Sequence, residues 1–287
     1  MREIAPLPEP KSTSSPSGMK RLLDVMARLR DPAKGCPWDR EQSYPTIVPY
    51  TIEEAYEVAD AIERADFGAL KSELGDLLFQ VVFYAQMARE EGRFDFDAVA
   101  HAAADKMERR HPHVFGKATV DSAAAQTVAW EAQKASERAA AAGQNENATP
   151  VSALDDVARA LPALTRAEKL QKRAAREGFD WPHLSQVLDK IQEEIREVQH
   201  EIAEQAPKER LLDEIGDLLF ACANLARKLE VDPETALRST NAKFERRFRR
   251  IEGWLADAGK TTGDSTLEEM DALWDRAKAE ERGGQSD

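Results

Sequence analysis

Two acidic stretches stand out by residue type and spacing: EEAYE at 53–57 and ELGD at 73–76. Both recur later, as EEIRE at 193–197 and EIGD at 214–217. On a helix advancing about 100° per residue, Glu54 and Glu57 share a face, as do Glu73 and Asp76. The same holds for Glu194 with Glu197 and for Glu214 with Asp217. If the two stretches of each copy lie on antiparallel neighbours, four carboxylates surround one point, which is unfavourable without a counter-ion. EExxE alone also suits a solvated helix face. ELGD resists that reading, because Glu73 and Asp76 sit beside LLFQVVF and Glu214 and Asp217 beside LLFACANLA, at the margin of a core. All-oxygen ligands favour a hard cation, Mg²⁺ or Mn²⁺. A di-iron carboxylate bundle needs Glu-x-x-His pairs. Glu108/His111 and Glu197/His200 have that spacing, but Asp60 and Phe248 stand at the matching places of the other copy, so the histidines lie outside the repeated pattern.

A basic and aromatic set follows each acidic one. Lys106, Arg109 and Arg110 correspond to Lys243, Arg246 and Arg247, and Trp130 with Lys134 corresponds to Trp274 with Lys278. Lys and Arg four apart present two cations on one face, and guanidinium forks suit phosphate oxygens. Carboxylates holding a divalent ion beside such cations are the parts needed for a polyphosphate, and a nucleoside triphosphate fits. Trp130 and Trp274 either stack on a base or are plain core. No GxxxxGK[ST] loop and no GxSxG elbow is present, so the expected chemistry uses a metal-activated water instead of a covalent intermediate.

The elements that must position these residues are helical. Met19, Leu22, Leu23, Met26 and Leu29 predict an amphipathic helix ended by Asp31-Pro32. A loop through GCPWD is expected next, then helices over 47–65 and 70–91 joined by the turn ADFGAL and therefore antiparallel. Helices over 95–110 and 122–141 complete the first half. AAAAGQNENATPVS reads as a linker, and helices are expected near 153–177, 184–204, 208–230, 233–257 and 266–281, with FDWP standing where GCPWD stood. The repeated order of motifs makes this a tandem duplication: a disordered tail at 1–18, a helical domain at 19–138, a linker at 139–152, a second domain at 153–281 and a tail at 282–287.

With 287 residues, 42% of them hydrophobic and 32% charged, the chain has core enough for about two domains. Its formal charge of -13 argues against nucleic acid or an anionic membrane surface as partner. Cys36 and Cys222 lie far apart without zinc or disulfide spacing, which fits a reducing cytoplasm. The stretch MREIAPLPEPKSTSSPSG lacks the apolar centre of a secretory signal, and no later run approaches the roughly eighteen apolar residues of a membrane span, so neither is expected.

The combination of GCPWDREQ, EEAYEVADAI, ELGDLLFQVVF and HPHVFG with FDW, EEIRE, EIGDLLF, NAKFERRF and LEEMDALWDRAK resembles the MazG family of nucleoside triphosphate pyrophosphohydrolases, within the all-α NTP pyrophosphatase group. The likeness spans about residues 19–281, so the expected fold is all-α, a tandem pair of four-to-five-helix MazG-like bundles. The resemblance implies Mg²⁺-dependent hydrolysis of NTPs or dNTPs between the α and β phosphates, and assembly as a homodimer. Carried over by motif, it implies metal ligands Glu194, Glu197, Glu214 and Asp217, with Lys243, Arg247, Trp274 and Lys278 on the substrate. The matching first-half set is Glu54, Glu57, Glu73 and Asp76, with Lys106, Arg110, Trp130 and Lys134. Glu193, or Glu53 in the other copy, is the candidate to orient or deprotonate the attacking water. SYPTI replaces a Thr-His-x-Ser-Leu-like segment, and Tyr50 occupies the place of the cation Lys190, which favours the second half as the more active copy. The alternatives are a nucleotide-binding regulatory module without turnover and a purely structural helical protein. The family is associated with both nucleotide-pool sanitation and stress responses, and no residue selects between them.

Overall fold

A computed structural model describes residues 17–122, 125–127, 129, 130, 132, 133, 137 and 152–283. The chain divides into two compact units, 1–137 and 138–287. Among the described residues the regular structure is helical, with no strand, and no helix is long and apolar enough to cross a membrane.

The first unit contains α1 (Gly18–Leu29), the short α2 (Pro37–Glu41), α3 (Tyr44–Glu63), α4 (Phe67–Glu90), α5 (Phe96–Arg110) and the short α6 (Pro112–Phe115). Side chains cap several of these helices: Ser17 accepts from the Lys20 amide at 3.2 Å, Asp66 from Gly68 and Ala69 at 3.1 and 3.0 Å, and Asp95 from Ala98 at 2.9 Å. The long pair α3 and α4 forms the centre, and α1 and α5 lie against α4. Between them Met26, Ile47, Val82, Phe83 and Met87 are buried as one cluster, with Leu22, Leu23, Phe79 and Tyr84 packed around it.

In the second unit come α7 (Ala163–Arg176), α8 (Leu184–Ala203), α9 (Lys208–Lys228), α10 (Pro233–Asp257) and α11 (Leu267–Gly283), with a 3-10 turn at Thr262–Asp264. Helices α8 and α9 form the corresponding central pair; α7 packs on α9 and α10, and α11 on α10. The buried apolar residues around the central pair are smaller, Ala167, Val187, Ala221 and Ala223, while α10 buries Ile251 and Leu255 and α11 buries Ala277.

Several boundaries differ from expectation for local reasons. The GCPWD loop contains α2, because Pro37 pre-sets the first helical position. Helix α3 starts at Tyr44, where Ser43 and Thr46 form a capping box. The helix expected from 153 begins only at Ala163. Pro162 disfavours helical backbone at Leu161, and Asp156 sits at φ 63°. Arg173 of α7 donates to the carbonyls of Ala153 and Asp155 instead. Of the helix expected over 122–141, residues 125–127, 129, 130, 132, 133 and 137 are described and helical, while most of the expected linker and tails lies outside the described residues.

Candidate metal centre

The turn between α3 and α4 fixes which residues face each other. Ala65 takes φ 53°, the Asp66 amide donates to the Ala61 carbonyl at 3.0 Å and the Ala65 amide to Ile62 at 3.0 Å, which together close a Schellman turn. Glu57 and Glu73 each lie eight residues from Ala65, and Glu54 and Asp76 each eleven, so an antiparallel return pairs them across the hairpin. Glu54, Glu57 and Glu73 bring carboxylate oxygens within 4.8 Å of one another. Burial, and then the charge of Asp76, pushes the Glu54 carboxyl above its usual range; burial, and then Glu57, does the same to Glu73. Glu53 is exposed on the same helix and lies outside this triad.

The second hairpin repeats the construction. Gln205 takes φ 51°, and the Ala206 amide donates to the Glu201 carbonyl at 2.9 Å. Glu194, Glu214 and Asp217 converge within 4.8 Å. Glu197 stands beside them, its carboxyl pushed up by a hydrogen bond with Glu194 and then by burial. Glu194 is only 3% exposed, and its Oε2 has no hydrogen-bond partner. Its Oε1 pairs with Lys190 Nζ at 2.8 Å. That ammonium also meets Glu193 Oε1 at 2.6 Å, which raises the lysine and holds the exposed Glu193 carboxyl below its usual range. Arg210 bridges Glu201 at 2.6 Å and reaches Glu214 at 3.6 Å.

A buried carboxylate oxygen without a partner, among three converging acids, is costly unless a cation satisfies it. The oxygen-only donor set fits a divalent metal. Of the eight acids that sequence spacing singles out, the structure gathers three of each four into one triad with the fourth alongside.

The basic residues form a separate group on α10 and α11. Glu281 accepts from Arg247 Nε and Nη2 at 2.9 and 2.7 Å and from Arg246 Nε at 2.9 Å. The Arg247 guanidinium lies 5.4 Å from the Trp274 ring centre, and Phe244 packs 5.2 Å from the same ring. Half-buried Lys243 precedes Arg247 by one turn, and Lys278, paired with Asp275 at 2.6 Å, follows Trp274 by one turn. In the first unit Glu137 accepts from Arg110 and, at 3.2 Å, from Arg109. Trp130 lies 5.2 Å from His111, Lys106 is exposed, and Lys134 lies outside the described residues. Sequence reasoning missed Glu137 and Glu281, although each stands seven residues beyond the repeated Trp.

Beside the second triad opens a cavity of about 730 Å³. Lys190, Glu194 and Asp217 line it together with Gln171 from α7 and Asn224 from α9. Lys243, Arg247, Trp274 and Lys278 are not among its lining residues. The two amides were not legible as site residues, yet the repeat carries a signal: Asn224 lies seven residues beyond Asp217, where Phe83 lies seven beyond Asp76.

Comparison with known proteins agrees with this geometry. The family model described as the MazG nucleotide pyrophosphohydrolase domain matches residues 42–115 and 183–251, one stretch in each unit. A nucleoside triphosphate pyrophosphohydrolase of Escherichia coli (strain K12) is 54% identical over 263 residues, covering 91% of this chain and 97% of that protein. The nucleoside triphosphate pyrophosphohydrolase/pyrophosphatase MazG of Thermotoga maritima is 40% identical over 259 residues, covering 90% of this chain and 95% of its own length. The uncharacterised protein YabN of Bacillus subtilis (strain 168) is 42% identical over 258 residues, 90% of this chain but 51% of YabN.

Proposed function

Because the chain belongs to the MazG nucleotide pyrophosphohydrolase family, we propose that it hydrolyses ribo- and deoxyribonucleoside triphosphates between the α and β phosphates, releasing a nucleoside monophosphate and pyrophosphate. The observation that carries this reading is Glu194, a buried carboxylate with an unpartnered oxygen, set among Glu214 and Asp217 on the wall of a ligand-sized cavity.

Glu194, Glu197, Glu214 and Asp217 would hold Mg²⁺, or Mn²⁺ in its place. The metal would supply Lewis-acid polarisation of the α-phosphate and of the attacking water. Lys190 shares Glu193 and Glu194, so its ammonium stands ready to neutralise phosphate charge where the acids meet the cavity. Glu193, kept ionised by that lysine, is an acceptor suited to orienting the water. Lys243, Arg247 and Lys278 are assigned to the leaving phosphates, with Trp274 supporting Arg247. In the first unit Glu54, Glu57, Glu73 and Asp76 retain a cation site, with Glu53, Lys106, Arg110, Trp130 and Lys134 as the matching set, and turnover is assigned to the second unit. Assembly as a homodimer is supported by exposed apolar side chains along the central pairs, among them Ile195, Ile202, Leu212 and Leu219. A cytoplasmic location and a role in cleaning or controlling nucleotide pools complete the reading.

The test is release of pyrophosphate and monophosphate from a panel of NTPs and dNTPs, with Mg²⁺ and after chelation. Turnover that chelation abolishes and Mg²⁺ restores is the expected result. Tight stoichiometric nucleotide binding with no pyrophosphate from any substrate would replace hydrolysis with a regulatory binding role.

A further inference from the structure

The cavity of the second unit has a part that the metal centre does not explain. Its volume of about 730 Å³ lies within the range of about 300–1,000 Å³ of small-molecule sites. One portion of its lining carries Lys190, Glu194 and Asp217; the rest combines apolar surface from Leu170, Ala174 and Ala221 with the ion pair of Asp180 and Arg227 and two amides, Gln171 and Asn224. Both amides are more than nine-tenths buried.

Each amide has one end committed and the other to offer. Gln171 Nε2 donates to the Phe220 carbonyl at 2.8 Å, and Gln171 Oε1 is buried without a partner. Asn224 Oδ1 accepts from Arg227 Nε at 2.9 Å, and Arg227 Nη2 is in turn held by Asp180 Oδ1 at 2.6 Å. Gln171 thus carries an unpaired acceptor just beneath the cavity wall, and Asn224 an amide donor on the same wall. A buried acceptor left unpaired is costly, and a ligand that donates to it recovers that loss. Phe179 and Trp181, which also line the cavity, supply aromatic surface.

Resting on the reading that this unit binds a nucleoside triphosphate, we propose that Gln171 and Asn224 hold the hydrogen-bonding edge of the nucleobase and set how tightly the nucleoside portion binds. Nucleobases are read elsewhere by polar groups on that edge and by stacking against aromatic or apolar side chains. Every common base carries both a donor and an acceptor on that edge, so one fixed acceptor with one donor admits purines and pyrimidines alike. Lys190, Glu194 and Asp217 on the same cavity leave the triphosphate at the acids while the base enters the amide-lined portion.

The test uses the unmodified full chain first. Nucleoside monophosphates are compared with ribose 5-phosphate as competitive inhibitors of pyrophosphate release, because the two share a phosphorylated sugar and differ in the base. Inhibition at least tenfold tighter by the monophosphates is expected; equal inhibition overturns the proposal. Gln171→Met, which imports the side chain of the first unit's buried Met26, should raise KM for all nucleotides about tenfold while inhibition by inorganic tripolyphosphate stays within twofold. Unchanged KM, or a parallel loss of tripolyphosphate inhibition, also overturns it. Should Gln171→Met not fold, the comparison on unmodified protein decides alone. Absence of pyrophosphate release from the unmodified chain would instead defeat the hydrolase reading, a separate outcome from an active enzyme indifferent to the base.

Discussion

Seven residues beyond its last acid, the first unit buries Phe83 and the second buries Asn224. The same exchange recurs on the neighbouring helix. Where α1 turns Leu22, Leu23 and Met26 inward, α7 turns Ala167, Glu168 and Gln171 inward at identical spacing. Tyr50, edge-on to Trp38 at 5.8 Å, occupies the sequence place of Lys190, which pairs with Glu193 and Glu194 on the cavity. The acids are duplicated faithfully, while the matching positions behind them are apolar core in one copy and buried amides on a largely apolar cavity in the other. An acidic hairpin can therefore be repeated while the residues packed behind it diverge.

The sharpest way to break this comparison is to disable the acids one copy at a time. Glu194→Gln should lower kcat for pyrophosphate release by about 100-fold or more, while Glu54→Gln leaves it within about twofold. Equal losses would make both copies catalytic. Packing should answer in the opposite direction. Phe83→Ala is expected to cost the first unit about 3–5 kcal/mol, because a wholly buried ring leaves a void, whereas Asn224→Ala borders an existing cavity and should cost well under half of that. Calorimetry that resolves two transitions measures both.

A smaller difference lies in acid stability. Burial works against ionised Asp180, but Arg227 and Lys228 prevail and hold its carboxyl below the ordinary 3.8. A depressed folded-state pKa stabilises above about pH 4 and loses that contribution as pH falls through the depressed value. Asp180→Asn should flatten the acid limb of the second unit's stability curve and leave the first unit, which relies on Glu90 with Arg30 at 2.6 Å, unaltered. Smallest of all, Ala65→Gly and Gln205→Gly should each stabilise their unit by about 0.5–1 kcal/mol, since both residues occupy the left-handed region that glycine enters without strain. Unequal gains would mean that the two turns are less alike than their hydrogen bonds indicate.

The hairpins and their eight acids were legible because helical spacing and a short turn fix them locally, and the repeat supplied its own control. The polar lining of the cavity was not. Gln171 and Asn224 each look like ordinary polar positions of an amphipathic helix, and only the packing of α7 on α9 buries them. Glu281 escaped for a related reason: its partners Arg246 and Arg247 lie on another helix, and pairing across helices has no signature in local spacing. The false start at 153 shows the opposite limit, where apolar periodicity outran Pro162 and the left-handed Asp156.

The two turns also differ in length, three residues at 64–66 against four at 204–207, yet Glu73 and Glu214 each stand six residues after the first residue of their helix, Phe67 and Lys208. Chain length is thus free to drift before the helix starts and not after it. An insertion between Asp66 and Phe67 should be absorbed by the loop, whereas one between Phe67 and Glu73 would rotate every later side chain by about 100° and disperse the carboxylates. Reading frame within the helix, and not contour length of the connection, is what a lineage carrying this hairpin must preserve.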